Sequence, residues 1–505
     1  MASEILQVRG PPGTATAKSK YNGSGEKVFV ADTGFDNGND SKAGGHHPAF
    51  EKRVKRLDAL GRPKLTNDPD GHGTHVACSV LGKLQHADGV MIEAPASGAE
   101  LYLQSVFDGV FVQDRQRPDI WHASLTGLDT FPAGTPLFKP AVDEGVHIHT
   151  NSWGSPGRYT AQTAGAIDEF AWRNTSLAIL FAAGNAGRNG ARTVGNEASA
   201  RNCISVGACE STKIFPGVPQ GSSDSVAVFS SRGPTTPGGQ IKPDVVAPGT
   251  NILSARSTAL DPQRRKESSL RLDKTDTKHH WQFMNGTSMA TPLVAGCCAV
   301  LREALRDAHQ MSDPSAALIK ALIVNGAEPL KPSDTPNNNS GFGRVNMSNT
   351  LKHIEHQPNP PLAGFDERFG DKALRHGSSA TGAKLDEFSF NIQVPPPAAG
   401  FSNTLAVTLV WPDPSGSKLQ HFLDLSVTLG NEKRAWGVQQ RQNNVQQIRW
   451  TNAPAGVYQV LVEALQILPQ PPQAPAPVAE PGQPAPPAEQ KLPAFQSFAY
   501  AWRIF

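Results

Sequence analysis

No stretch of this chain approaches the ~18–20 consecutive apolar residues that span a bilayer. Its opening, Met1 to Pro12, lacks a basic segment followed by an apolar core, so it is not read as a signal peptide. Net charge is also small: 47 Lys and Arg against 45 Asp and Glu leave +2. That gives no electrostatic case for nucleic acid or a membrane surface, and neither is expected as a partner. Cysteine is sparse. Cys203 and Cys209 bracket a strand-like Ile-Ser-Val-Gly-Ala, whose ends lie roughly 20 Å apart, too far for a disulfide. Cys297 and Cys298 are neighbours on a helical stretch, and Cys78 stands alone. No CxxC or Cys/His spacing suggests zinc. All five read as small, buried apolar residues.

At 505 residues, 38% hydrophobic and 18% charged, the chain can bury a sizeable core and is long for one domain. Residues 1–24, rich in Gly, Pro, Ser, Thr and Lys, read as a flexible N-terminal arm. Residues 25–356 hold apolar runs that alternate with helical patterns. The runs are Lys27–Ala31, Glu100–Phe107, His147–Gly154, Leu177–Asn185 and Cys203–Ala208. Helical patterns cover Ala166–Arg173, Met289–Leu305 and Pro314–Asn325. This rhythm predicts an α/β domain with a parallel sheet covered on both faces. The charged stretch Ser257–Trp281 reads as a solvated surface insertion.

At Gln357–Leu362 a Pro-rich linker intervenes and the texture changes. Residues 363–505 alternate with period two, as in Glu387–Val394, Asn403–Trp411, Phe422–Leu429 and Gly456–Ala464. They predict an all-β, jelly-roll-like sandwich, interrupted by a Pro-rich loop at 469–493.

Four places carry chemistry. Asp32 follows the first apolar run, at the strand end where catalytic groups gather in open α/β sheets. His72 lies between glycines in Asp68-Pro-Asp-Gly-His-Gly-Thr-His75. Its imidazole is suited to proton transfer near neutrality. His75 reads as a structural residue, and no carboxylate stands at metalloprotease spacing from the two histidines. Ser288, in Gly286-Thr-Ser-Met-Ala-Thr-Pro292, opens the helical run. The free backbone N–H groups of a helix start favour developing negative charge there. A hydroxyl needs a base, and the base an orienting group. Asn185 ends the run before Ser288 with an amide.

Asp32-Thr-Gly, His72-Gly-Thr-His-Val-Ala and Gly286-Thr-Ser-Met-Ala-Thr-Pro, in this order, with Ser230-Ser-Arg-Gly-Pro as a fourth shared stretch, resemble the subtilisin-like serine peptidases over residues 26 to about 350. The resemblance implies a serine endopeptidase acting on polypeptides through an acyl-enzyme intermediate. It assigns Ser288 as nucleophile, His72 as base, Asp32 as its orienting acid and Asn185 as oxyanion donor. Ser152, Trp153 and Gly154, with Ala182, Ala183 and Gly184, match the segments that line the first specificity pocket. Leu405–Trp411, Asp413, Leu423-Asp-Leu425 and Asn452–Tyr458 look like the β-sandwich appended to alkaline-type subtilases of the KP-43 kind.

No cofactor is required by that chemistry, and a monomer is expected. Metal ligands are not assigned, because the family's calcium loop is not recognisable in Ser79–Val90; calcium at Asp424 or nearby is left open. Cys78 stands where the family's histidine motif has glycine. Members are often secreted, and the compartment is left open here. A catalytically silent binding or regulatory protein on the same scaffold is the alternative function. An α/β-hydrolase esterase is disfavoured by the order Asp, His, Ser and by Ala290 where that class has glycine.

Overall fold

The computed structural model describes residues 2–8, 19–38, 46–86, 89–113, 121–128, 137–211, 221–269, 278–331, 334–375, 386–436, 442–468 and 495–505. Its centre is a seven-stranded sheet formed by β1 (Lys27–Asp32), β2 (Val54–Ala59), β3 (Glu100–Ser105), β4 (Ile148–Asn151), β5 (Ala178–Ala182), β6 (Ile204–Cys209) and β7 (Val245–Pro248). The order is β7-β6-β5-β4-β1-β3-β2, and every pairing is parallel.

Both faces of the inner sheet are buried because strands such as β1 and β5 are apolar in both registers. Val28 and Val30 of β1 enter one core, and Phe29 and Ala31 the other. The first face is covered by α1 (His72–Leu81) and α2 (Thr287–His309), the second by Phe138, Ile167 and Phe170. The edge strand β2 was not anticipated: Lys55, Arg56 and Asp58 hide it as a polar segment. The chain's advance across the sheet reverses at β1, which has β3 on one side and β4 on the other. Loops leaving β1, β4 and β5 therefore converge at one edge, where crevices form in such sheets.

Three regions show more than the sequence reading described. The N-terminal arm is docked in its first residues: Ala2–Ile5 is helical, Leu6 and Val8 are fully buried, and the Leu6 carbonyl accepts from Met347 N. Thr287–His309 is long and apolar enough to cross a membrane on length and composition, yet it is buried almost throughout as the core helix α2. The Ser257–Trp281 insertion, exposed or half-buried at most of its described residues, is also anchored at both described ends. Leu260 and Trp281 are buried, and Arg264 pairs with Asp70 at 3.1 Å.

The C-terminal region contains β8 (Ala363–Arg368), β9 (Glu387–Val394), β10 (Asn403–Val410), β11 (Phe422–Leu429), β12 (Glu432–Ala435), β13 (Val445–Ala453), β14 (Gly456–Gln466) and β15 (Phe498–Ile504). They form two four-stranded antiparallel sheets, β8-β15-β10-β13 and β9-β14-β11-β12. Alternate residues fill the space between them: Leu405, Val407 and Leu409 from β10, Tyr458, Val460 and Val462 from β14. The other side of β10 and β15 packs on α3 (Ala316–Gly326) of the α/β region. Asn325 there donates to the carbonyls of Ala406 (3.2 Å) and Ala501 (3.1 Å). The Pro-rich run at 469–493 lies outside the described residues. All five cysteines are buried, and none is in a disulfide.

Candidate active site

Asp32 ends β1 and is almost fully buried. Its Oδ1 accepts from Thr33 N (2.8 Å) and lies 2.7 Å from His72 Nδ1; among the described residues Oδ2 has no hydrogen-bond partner. A carboxylate so placed fixes the imidazole orientation and keeps a proton on Nδ1.

His72 is the first residue of α1, and that helix start is held by a residue sequence reasoning passed over. Asp68, fully buried, accepts from Gly71 N (2.9 Å), Thr74 N (2.8 Å) and Thr74 Oγ1 (2.6 Å). It thus satisfies donors of the first turn that the helix itself leaves unpaired. Thr33 Oγ1 donates to Asp68 (2.8 Å) and accepts from Gly73 N (2.8 Å), so one hydroxyl stitches the strand end to the helix start. Gly73 is needed for this approach, since a Cβ there would stand 2.2 Å from the Gly34 carbonyl oxygen. The spacing of Asp68 three residues ahead of Gly71 was a legible capping signal. Burial, aided by the Asp70 charge, pushes the Asp68 carboxyl up to about 6.

Burial opposes a charge on His72. The Asp32 charge and hydrogen bond, then Asp70 and Asp68, outweigh it and raise the imidazolium pKa to about 9. The side chain remains 25% exposed, so water and solute reach it.

Ser288 is the second residue of α2. Gly286 precedes it with φ +154° and ψ 160°, a conformation open to glycine and strained for other residues. Thr287 donates through N (2.9 Å) and Oγ1 (3.0 Å) to Asn185 Oδ1. That fixes the amide. A Cβ built on Gly286 would lie 3.5 Å from Asn185 Nδ2 and 3.6 Å from Ser288 N, so both donors border one small space.

The Ser288 hydroxyl donates to the Ser152 carbonyl at 2.9 Å, and Ser152 Oγ donates back to the Ser288 carbonyl at 2.9 Å. The second bond follows from Pro292. Without an N–H it cannot bond the carbonyl four residues earlier, which is that of Ser288. Trp153 Nε1 donates to the Ala31 carbonyl at 2.9 Å and its ring meets Phe181 edge-on. Asp32, His72, Asn185, Ser288 and Ser152 are thereby gathered at the converging loops of β1, β4 and β5.

The residues expected to line a pocket fall in two segments beside Ser288. Ser152, Ala182 and Ala183 are buried, Trp153 and Gly184 are half-buried, and Gly154 is exposed. Ala183 is bonded on both backbone sides, to the Val206 carbonyl and from Gly195 N. Glu197 was not anticipated, and no motif announced it. It is buried, and its carboxylate accepts from Ser155 N and Oγ, each at 2.8 Å. A Cβ on Gly154 would stand 3.2 Å from its Oε2. His75 is buried, with Nε2 at 3.0 Å from the Ile252 carbonyl oxygen. Among the described residues no group of three or more His, Cys, Asp or Glu could hold a metal ion.

The subtilase family model matches residues 23–343. Serine protease AprX of Bacillus subtilis is 30% identical over 335 residues, 65% of this chain and 66% of its own. Serine protease/ABC transporter B family protein tagD of Dictyostelium discoideum is 25% identical over 525 residues, 81% of this chain and 28% of its own. The chain thus spans under two thirds of the length of these relatives. Among solved structures, the prenylagaramide maturation protease PagA overlaps 65% of this chain and 93% of its own, at 21% identity and a TM-score of 0.44.

Proposed function

The chain belongs to the subtilase family, and on that premise we propose that it is a serine endopeptidase that hydrolyses peptide bonds of polypeptides. The observation that carries the reading is the 2.7 Å bond from Asp32 to His72 at the sheet edge that also holds Ser288. Ser288 Oγ attacks the peptide carbonyl carbon while His72 Nε2 takes its proton. The carbonyl oxygen gains the electron pair and is met by Asn185 Nδ2 and Ser288 N. The imidazolium then protonates the departing amine, the C–N bond breaks, and an acyl-enzyme remains. Water gives a proton to His72 as it attacks the ester carbon; the C–Oγ bond then breaks, and the imidazolium returns the proton to Ser288 Oγ. Asp32 stabilises the imidazolium in both halves. To begin, the hydroxyl leaves the Ser152 carbonyl by rotation about its own Cα–Cβ bond.

Ser152–Gly154 and Ala182–Gly184 form the walls of the first specificity pocket in this reading. The reaction needs no cofactor, and the chain acts as a monomer on its substrate. One feature favours the silent scaffold instead: the Ser288 hydroxyl is bonded to a carbonyl that cannot activate it. Hydrolysis of casein by the full chain, beside Ser288→Ala, separates the two. Turnover confined to the wild type supports the peptidase. A folded wild type without turnover supports the silent scaffold.

A further inference from the structure

We propose that Asp413 of the sandwich, acting through Arg201, is a positioning residue for the wall of the first specificity pocket. The inference rests on reading residues 152–154 as that wall. The wall continues into Ser155–Thr160, which is tied to a second segment, Gly195–Cys203. Asn196 N donates to the Ser155 carbonyl (3.0 Å), and Asn196 Oδ1 accepts from Thr160 N (3.1 Å). Glu197 holds Ser155 through both its N and its Oγ. Gly195 N reaches the opposite wall at the Ala183 carbonyl (3.0 Å).

That second segment ends in Arg201, whose side chain is 0% exposed and reaches the sandwich. Its guanidinium lies 3.7 Å from Asp168 and 3.7 Å from Asp413, both carboxylates fully buried. Nη1 donates to the Gly416 carbonyl, and the group lies over the Tyr159 ring at 5.6 Å. Two further bonds cross the same seam. Asn202 Nδ2 donates to the Asp413 carbonyl (2.8 Å), and Gly416 N donates to Tyr159 Oη (3.2 Å). The loop 413–416 therefore grips both Tyr159, on the wall, and Arg201, on the segment tied to it. Buried charges have no water to substitute for a lost partner, so this grip is rigid. Surface ion pairs hold their elements loosely by comparison.

The test compares the full-length wild type with Asp413→Asn and Tyr159→Phe. Asp413→Asn keeps an acceptor for His421 N (2.8 Å) and removes the charge facing Arg201. Amide exchange at residues 152–160 should rise at least ~10-fold in Asp413→Asn while α1 stays protected, as a local opening requires. On peptides that differ only in the residue before the cleaved bond, KM should rise roughly 10-fold with kcat within about 3-fold, and discrimination should narrow. Labelling of Ser288 by a small sulfonyl fluoride should stay near the wild-type rate. Unchanged exchange at 152–160, or an even rise across α1 as well, would overturn the inference. Should Asp413→Asn not fold, Tyr159→Phe decides by the same exchange readout. A wild type that neither cleaves nor labels sinks the peptidase reading, whereas exchange still decides whether the seam holds the wall.

Discussion

The C-terminal edge of the sheet and the seam with the sandwich both bury carboxylates, and they neutralise them by different means. At the edge, Asp32 faces a histidine and Asp68 faces only neutral N–H and O–H donors. At the seam, Asp168 and Asp413 face Arg201, while Asp244 meets Lys242 at 2.7 Å and Lys320 at 2.9 Å. Burial pushes the Asp244 carboxyl up, but the two lysines outweigh it and leave its pKa below the usual range. A permanently charged partner makes a fixed strut. A titratable partner makes a pair that can give and take a proton. His149 shows the third outcome: buried between Phe29 and Phe138, with Gln104 and Asn151 as neutral partners, it is driven by burial down to about 3 and stays uncharged.

Replacing the acid at the edge should have the largest effect on this contrast. Asp32→Asn leaves a similar shape but no charge, and kcat should fall on the order of 10⁴-fold, the size seen for the equivalent change in a serine protease triad. In the proposed mechanism His72 must be neutral to accept the serine proton, and this sets the sign of the pH effect. With its pKa raised to about 9, kcat/KM should climb with pH through that region. In Asp32→Asn the limb should move down toward the ordinary histidine value. Profiles of kcat/KM against pH for both proteins check this, and coincident limbs would contradict it.

Asn185→Ala comes next. Loss of one oxyanion donor should cost roughly 10²–10³-fold in kcat, the size found for the oxyanion asparagine of subtilisin. KM should change little, because the donor acts on charge that develops in the transition state. An equal loss carried in KM would argue that Asn185 holds substrate instead.

The smallest effect is on stability against pH, and here edge and seam add. The raised pKa of His72 means the folded state holds that proton more tightly than the unfolded chain. The Asp32–His72 pair thus contributes fully below the unfolded value of about 6.5 and fades as pH rises through about 9. Burial raises Asp413 to about 7 and Asp168 to about 6, against the opposing charge of Arg201. Between the model-peptide range near 4 and those values the folded state again holds more protons, so stability falls with rising pH. These groups pull the thermal midpoint down as pH rises, while His149, held neutral when folded, pulls it up toward about pH 6.5. Relative to the wild type, Asp413→Asn should remove a decline in the neutral range and Asp32→Asn one in the alkaline range. Variant profiles parallel to the wild type would refute both assignments.

Much of the α/β fold was legible because parallel strands buried on both faces leave continuous apolar runs, as in Lys27–Ala31 and Leu177–Asn185. Val54–Ala59 was not, since an edge strand tolerates Lys55 and Arg56. The motif serine, histidine and acid announce themselves by spacing. Of their supports, Asp68 was legible as a cap three residues ahead of Gly71, whereas Thr33 and Glu197 act through contacts across loops that no local pattern encodes. Nor could spacing reveal that Pro292 frees the Ser288 carbonyl for Ser152. The sandwich was legible as alternation, whereas its grip on Arg201 depends on residues 212 positions apart, Arg201 and Asp413.

The most direct measurement is the rate at which a small sulfonyl fluoride modifies Ser288, followed against pH by mass spectrometry of the Ser288 peptide. If the Asp32–His72 pair activates Ser288, the adduct forms on that residue at a rate that rises with pH through about 9, and Asp32→Asn moves the rise to lower pH. No adduct on a folded wild type, or a rate unaffected by the Asp32 change, would contradict a serine nucleophile driven by that pair.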